Sequence, residues 1–564
     1  MDFGTIEVPS LSRLLSDYLM TYPLTVFSIV CLAVVLFTRL TSGRTGKSID
    51  GETKIPPAIP YWIPYVGHAA WFIAFTYKFK QVRDTISDGV FGVSLGGYVH
   101  KIIVTPSLAK AVFHLQRSAV DNHGIIFYLL ENFFGATEDV HKLDESYLFK
   151  DVHGVLNMLL KEAYLEKAIH IVNEGLKKGM PHFAPLDLDP AKQTLWSYSG
   201  DPRLVSGVSS TIEVTLFPLI RNFTANIASP ALMGFSFMKI YPNCITDIWT
   251  FDAGLPFFLS KTPSWLPIPT LRKAHAARAR LHAALIDFFK ALERTVDGKE
   301  LDPRWGDLSD VSDVILLRCK AWRKGGLTAE QYARNELTLL WAMNVNANNI
   351  VFWLLIRICS SPEILKRVRE EIAPYVKLKT EESTGTLSCD LNVNGINSCQ
   401  YLKAAYCESL RMDTGTSTIK TVLSDFTIQE SEMDKFEKTA QSYVFKKGEV
   451  LHIDHGLHQS NPRYFPEPHV FNPERFLAEE IEDGGKVKMV AHMGSIRPFG
   501  GGSALCKGNR FATREIPLFV AGIISTWDLS PVGKEWKLPT QQRASGAFIP
   551  ASGWRVRLSP RKLQ

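Results

Sequence analysis

No charge interrupts the chain from Tyr18 to Thr38, and the centre of that run, T-V-F-S-I-V-C-L-A-V-V-L-F, is rich in residues that partition into lipid. About 20 such residues span the hydrocarbon core of a bilayer, so the pattern predicts a transmembrane helix over about 19–38. No small-residue cleavage site comes after it. Arg39, Arg44, Lys47 and Lys54 come after the run and Arg13 alone before it, which predicts an uncleaved anchor with the body of the protein in the cytosol. A buried N-terminal helix is the alternative, since Pro23 and the polar Thr21, Thr25, Ser28 and Thr38 weaken the span. With the body in the cytosol, the sequon Asn222-Phe-Thr224 is on the wrong side for glycosylation.

The next segment, K-I-P-P-A-I-P-Y-W-I-P-Y-V-G, carries four prolines that forbid a helix and favour a stiff extended spacer. F-G-V-S-L-G-G and K-I-I-V-T-P read as two strands of a hairpin turning on glycine. Helical patterns dominate the rest of the chain. The longest begins at T-A-E-Q, where Thr328 and Gln331 form a capping box, and runs to Cys359 before Ser360, Ser361 and Pro362. At 1.5 Å per residue it spans roughly 46 Å, enough to cross a domain. Its apolar middle holds Asn344, Asn346, Asn348 and Asn349. Burying each amide without partners costs about 1–3 kcal/mol, so something polar must meet this helix at its midpoint. A further helix, from about Cys399 to Met412, puts Glu408 and Arg411 on one face. Downstream, Y-V-F-K-K-G-E-V-L-H-I-D has strand-turn-strand character, and F-P-E-P-H-V-F-N-P-E-R-F is a proline-punctuated loop. There is no internal repeat. The expected organisation is an anchor with a basic linker at 1–54 and one domain at 55–564, mainly α with a smaller β-rich region.

Composition narrows the function classes. With 564 residues, 46% of them hydrophobic, the chain can bury a large core. A net charge of +6 without a basic block interleaved with aromatics argues against nucleic acid as a partner. The eight cysteines show no Cys-x-x-Cys pair, which argues against zinc ribbons and a disulfide framework and for a reducing compartment.

Chemistry concentrates in R-P-F-G-G-G-S-A-L-C-K-G-N-R-F, from Arg497 to Phe511. Gly500, Gly501, Gly502 and Gly508 permit positive φ and close approach of backbone to a flat ligand. Backbone N–H groups and the start of a helix near Gly508 can stabilise a thiolate at Cys506, a strong donor to iron. A phosphate loop needs Gly-Lys-Ser/Thr, whereas Lys507 precedes Gly508 here. A nucleophilic cysteine needs a histidine base, for which there is no local signature. A plain buried cysteine gives no reason for four glycines.

F-G-G-G-S-A-L-C-K-G resembles the haem-binding loop of the cytochromes P-450, with Phe499, Gly502, Cys506 and Gly508 at the positions of the family's pattern. Glu408 and Arg411 resemble the family's Glu-x-x-Arg pair, and Arg475 in P-E-R-F resembles the arginine completing a buried structural triad. The order of these motifs, the proline hinge and the anchor extend the resemblance over essentially the whole chain. It implies a single cytochrome P-450 fold behind a transmembrane helix, haem b (iron protoporphyrin IX) as cofactor, and Cys506 as axial iron ligand.

Two departures narrow the resemblance. Ala504 stands where the family usually has a propionate-holding arginine or histidine. Val345 and Asn346 stand where most members carry an acid and a threonine that relay protons. Both resemble the branch of sterol 7α- and 12α-hydroxylases and prostacyclin synthase, as do W-A-x-x-x-N followed by F-W, and E-S-L-R-M-D-T-G-T-S-T-I-K. Lys420 and Arg497 become the candidate propionate partners, and Asn346 the candidate for ordering a water relay.

In that family the thiolate pushes electron density through iron to favour O–O cleavage. The implied activity is monooxygenation of a lipophilic small molecule such as a terpenoid, sterol or polyketide, in secondary-metabolite biosynthesis. It uses dioxygen and electrons from NADPH-cytochrome P-450 reductase, docked near Lys507, at the endoplasmic reticulum membrane. Isomerisation of the prostacyclin synthase type, and a non-catalytic haem-binding membrane protein, are the alternatives. Substrate contacts are expected from residues 120–150, from Trp341 and Ala342, from Thr414 and from Phe548 and Ile549. Pro517 falls within the helix expected after the cysteine and predicts a kink near Arg514.

Overall fold

The computed structural model describes residues 22–562 except 50–52, 74–76, 87, 190–192, 206–209, 383–384, 435–439 and 482–484. Its contacts gather into two compact units, one made of Met1–Asn122 with Thr418–Leu457, the other of His123–Ser417 with His458–Gln564.

In the first unit the apolar run forms a helix at Pro23–Thr41, with proline at its first turn where no N–H is needed. Residues 19–21 of the expected span lie outside the described residues. Only 6% of the helix's apolar window is buried in protein, so its side chains have no core to enter. Arg39, in the last turn, donates to the Pro60 carbonyl and lies 5.1 Å over the Trp62 ring. Ser42 Oγ accepts the Tyr61 N–H at 2.9 Å. The proline-rich segment is thereby fastened to the end of the helix.

The expected hairpin forms from Val90–Leu95 and Tyr98–Ile103. Gly96 and Gly97 turn it at φ of 60° and 82°, the left-handed values a tight two-residue turn requires. The later strand-turn-strand segment gives Ser442–Phe445 and Val450–Asp454, but these do not pair with each other. The first lies between Phe426–Gln429 and Thr53–Ile55. The second runs parallel to Tyr98–Ile103 in a five-stranded sheet.

In the second unit the long helix starts where expected, with Gln331 Oε1 accepting the Thr328 N–H at 2.8 Å. It is not continuous: Asn346 separates Ala329–Val345 from Ala347–Cys359. Every side chain from Asn348 to Cys359 is buried. This second half packs against helices Leu216–Ala228, Gln400–Asp413 and Asn509–Thr526 in the larger core. The first half belongs to another core with Cys244–Asp252 and Pro269–Val296. The helix after the cysteine runs through Pro517 without interruption, although Pro517 has no N–H for the Thr513 carbonyl.

Asn222 of the sequon is buried, donating to the Pro218 carbonyl at 2.8 Å and accepting from the Trp249 indole at 3.2 Å. No glycan fits there whichever side the body faces. All eight cysteines are free. Burial pushes the thiols of Cys244, Cys359, Cys389, Cys399 and Cys407 up to about 12 and that of Cys319 to about 11, which leaves them inert at neutral pH. Outside the apolar helix, Cys506 is the one exposed cysteine.

Candidate active site

Cys506 is held by a loop that closes on itself. Its N–H donates to the Phe499 carbonyl at 2.9 Å, so the intervening chain must turn back within seven residues. Gly500 and Gly502 make that turn with φ of 74° and 57°. Gly508 does not have a positive φ, and a side chain there would stand in ordinary contact with the sulfur at 3.8 Å. It also caps the helix Asn509–Thr526, aiming the helix N-terminus at the thiol.

Although the Cys506 side chain reaches the surface, the atoms around its sulfur push the thiol above its ordinary value. The N–H groups of Gly508 and Asn509 and the charge of Lys507 pull the other way without cancelling that effect. The N–H groups therefore favour the thiolate, as expected from the sequence, but do not outweigh burial. A cation at the sulfur would favour its deprotonation, and the directed N–H groups fit a thiolate.

Arg497 lies at the mouth of the loop. One guanidinium nitrogen donates to the Gly494 and Ile496 carbonyls at 3.0 and 2.9 Å. Its other nitrogens bond to no described residue, and the side chain is exposed, so it has donors for an anionic substituent. With the sulfur donor and the glycine-lined approach, these residues fit a flat iron-bearing group with carboxylates. Ile496, Phe499 and Leu505 add apolar lining to a cavity of about 400 Å³ beside the loop. Lys420, the other proposed carboxylate partner, belongs to the first unit. It is buried on strand Ser417–Val422, and burial holds its ammonium below the ordinary range despite the nearby Asp121 charge.

The expected triad is assembled. Glu408 and Arg411, three apart on one helix face, form a fully buried two-bond pair at 2.7 and 2.8 Å. Arg475 Nε lies 3.4 Å from Glu408 Oε1. Arg411 also donates to the carbonyls of Gln459 and Pro468, so one guanidinium ties its helix to the proline-punctuated loop.

The four asparagines of the long helix each meet a polar partner. Asn344 Oδ1 accepts from Ser229 at 3.2 Å and Asn348 Oδ1 from Thr224 at 2.6 Å. Asn346 Oδ1 accepts the Ala547 N–H at 2.9 Å, and Asn349 Nδ2 donates to the Ala547 carbonyl at 3.1 Å. Asn344, Asn348 and Asn349 are buried, so these amides face protein rather than solvent. The polar groups met at the midpoint are the hydroxyls of Ser229 and Thr224 and the late loop near residue 547.

The expected substrate residues divide. Trp341 is partly buried against Phe133 and Phe134, its indole donating to Asp252 at 2.8 Å, and Ala342 beside it is exposed. Phe548 and Ile549 are partly buried, with the Phe548 ring packed over Gly415. Thr414 is turned inward: its hydroxyl donates to the Leu410 carbonyl at 2.7 Å and accepts from Gln459 at 3.1 Å. A short bridge pairs Thr414 with Ala547, and the two bonds of its hydroxyl leave it little to offer a substrate.

Two buried ion pairs lie beyond the sequence expectations. Arg357 clamps Asp413 at 2.6 and 2.8 Å, beneath the Thr414–Ala547 bridge. Arg318 clamps Glu336 at 2.6 Å. A charge inside the apolar run I-V-F-W-L-L-I-R-I-C is the available signal for the first.

Comparisons with known proteins identify the family. The family model described as cytochrome P450 matches residues 209–555. A cytochrome P450 monooxygenase, poxD of Penicillium oxalicum, is 23% identical over 90% of this chain and 93% of that protein. The cholesterol 7-alpha-monooxygenase of Cricetulus griseus is 24% identical over 93% of this chain and 95% of its own. The human 7-alpha-hydroxycholest-4-en-3-one 12-alpha-hydroxylase is 26% identical over 90% and 93%. Among solved structures, a retinoic acid-bound cyanobacterial CYP120A1 superposes with a TM-score of 0.63 at 19% identity, covering 90% of this chain and 99% of that one, which establishes the fold. The cysteine loop, the buried Glu408–Arg411 pair and the family match together make this chain a member of the cytochrome P450 family of haem-thiolate monooxygenases.

Proposed function

We propose that the protein is a membrane-anchored monooxygenase that oxidises a lipophilic small molecule of terpenoid, sterol or polyketide type in secondary-metabolite biosynthesis. The observation that carries this reading is the exposed apolar helix Pro23–Thr41 joined to a haem-thiolate body, which suits a substrate delivered from lipid. The similarity to two sterol hydroxylases and to a fungal P450 monooxygenase supports the substrate class. The proposed location is the endoplasmic reticulum membrane, with the body in the cytosol. Electrons come from NADPH-cytochrome P-450 reductase, docking on the cysteine side where Lys507 and the exposed Arg510 stand.

Haem bound through Cys506 supplies dioxygen activation and transfer of one oxygen atom to substrate. The chain's own residues hold and orient. Gly508 and Asn509 direct N–H groups at the Cys506 sulfur, and Arg497 would hold a haem carboxylate. Asn346 has its oxygen committed to Ala547 and its Nδ2 unbonded among the described residues. It therefore acts by donating to a water at the helix break, ordering it without carrying a proton itself.

The reading is tested by comparing lipid extracts of source cells with and without the protein, grown under isotopically labelled dioxygen. The product is expected to carry label that its precursor lacks. A precursor and product that are unlabelled isomers would establish isomerisation instead. For the anchor, the double variant Val30→Arg, Leu32→Arg adds about 2.5–3.5 kcal/mol of insertion cost per charge. It is expected to release the protein into alkaline carbonate, whereas the wild type stays in the membrane pellet. Equal behaviour of the two would remove the anchor.

A further inference from the structure

We propose that Asn349, together with Asn346 and Trp353, is a positioning residue that sets substrate specificity by clamping the late loop and fixing where Phe548 stands. This rests on the reading of Phe548 as a pocket wall in a haem-thiolate enzyme, and a two-probe binding experiment separates the two.

Asn346, Asn349 and Trp353 recur at helical spacing on one face of the long helix. Each bonds to backbone rather than to another side chain. Asn346 Oδ1 takes the Ala547 N–H at 2.9 Å, Asn349 Nδ2 gives to the Ala547 carbonyl at 3.1 Å, and the Trp353 indole gives to the Phe548 carbonyl at 2.8 Å. From the opposite side the Gly415 N–H donates to the Gly546 carbonyl at 3.0 Å and the Phe548 N–H to the Asp413 carbonyl at 2.8 Å. Three consecutive residues are thus gripped by two elements. Asparagine is among the weaker helix formers, so two of them on one buried helix face are costly unless the loop needs holding.

Space is as constrained as polarity. A side chain on Gly546 would come within 2.5 Å of Asn346 Oδ1, and one on Gly415 within 2.7 Å of the Phe548 ring. The ring fills the space that a side chain at 415 would need. The polarity of the clamp is also fixed, because a peptide N–H only donates and a carbonyl only accepts. Position 346 must present an oxygen and position 349 an N–H. Aspartate has the shape of asparagine but no N–H when ionised, so the same substitution has opposite consequences at the two sites. Asn346→Asp keeps the bond to Ala547, whereas Asn349→Asp sets a carboxylate oxygen against the Ala547 carbonyl.

The test uses the haem-loaded full chain and two probes, clotrimazole, which is large enough to touch the pocket walls, and imidazole, which is not. Wild-type binding of imidazole with a thiolate-type absorption spectrum checks the haem-thiolate reading itself; without it, that reading fails and the clamp is not at issue. Given that binding, Asn349→Asp is expected to change the clotrimazole Kd by about tenfold while the imidazole Kd stays within about twofold. Amide hydrogen exchange at Ala547 and Phe548 should quicken in step. Asn346→Asp keeps the oxygen that accepts the Ala547 N–H and should leave amide exchange at Ala547 and Phe548 as in the wild type. Gly415→Ala pushes the Phe548 ring from the other side and should alter clotrimazole binding alone, which keeps the test open if Asn349→Asp folds poorly. An unchanged clotrimazole Kd in both Asn349→Asp and Gly415→Ala overturns the proposal, and so does an equal quickening of amide exchange from aspartate at 346 and at 349.

Discussion

Cys506→Ala is expected to abolish turnover and the thiolate-type absorption spectrum while leaving the polypeptide folded. Cys506 is exposed, and its loop is closed by its own backbone N–H to Phe499, which alanine retains. The glycine turns at 500 and 502 and the helix cap at Gly508 do not depend on the sulfur. What is lost is the one accessible thiol outside the apolar helix, the rest being buried and held protonated. A fall in kcat/KM of about 1,000-fold or more is expected, equivalent to ~4 kcal/mol of barrier. Far-ultraviolet circular dichroism should be unchanged, so that inactivity is assigned to chemistry rather than to unfolding. Turnover that survives in Cys506→Ala would mean that another group holds the iron, and the mechanism would be wrong. Removing haem from the wild type should leave a thiol titrating above its ordinary range, because burial outweighs the Gly508 and Asn509 N–H groups once the cation is gone.

The parts of this site that are legible in the sequence are those built from close neighbours. Phe499 to Gly508 is a ten-residue loop whose glycines, cysteine and following helix write their geometry locally. Glu408 and Arg411 are three apart on a helix, and their meeting comes from its periodicity alone. The break at Asn346 is not legible, because its partner Ala547 is 201 residues away and a peptide N–H leaves no trace in side-chain pattern. The four asparagines do announce that something polar lies opposite, without saying what. Strand pairing fails for the same reason: Ser442–Phe445 and Val450–Asp454 read as neighbours, yet each finds its partner elsewhere in the chain. The partners of the Thr414 hydroxyl, Leu410 and Gln459, are likewise not legible, because a residue after a helix can turn either way.

Arg411→Leu is expected to destabilise the body by about 3–5 kcal/mol, the cost of leaving a fully buried carboxylate without its counter-ion. Glu408 would retain only the Asn472 N–H at 3.0 Å and Arg475 at 3.4 Å. Arg411→Lys should recover little of this. A lysine offers one compact charge, whereas the guanidinium bonds twice to Glu408 and also reaches the carbonyls of Gln459 and Pro468. Those last two bonds hold the loop that carries Arg475 against the helix Gln400–Asp413, so the variant should also retain less haem at equal protein. The double variant Glu408→Gln, Arg411→Leu removes the stranded charge and should be more stable than Arg411→Leu alone, a coupling that a double-mutant cycle in urea reads directly. A loss below ~1 kcal/mol in Arg411→Leu would place the pair with exposed ion pairs. It would also contradict the burial of Glu408 and Arg411, on which the identification of the triad depends.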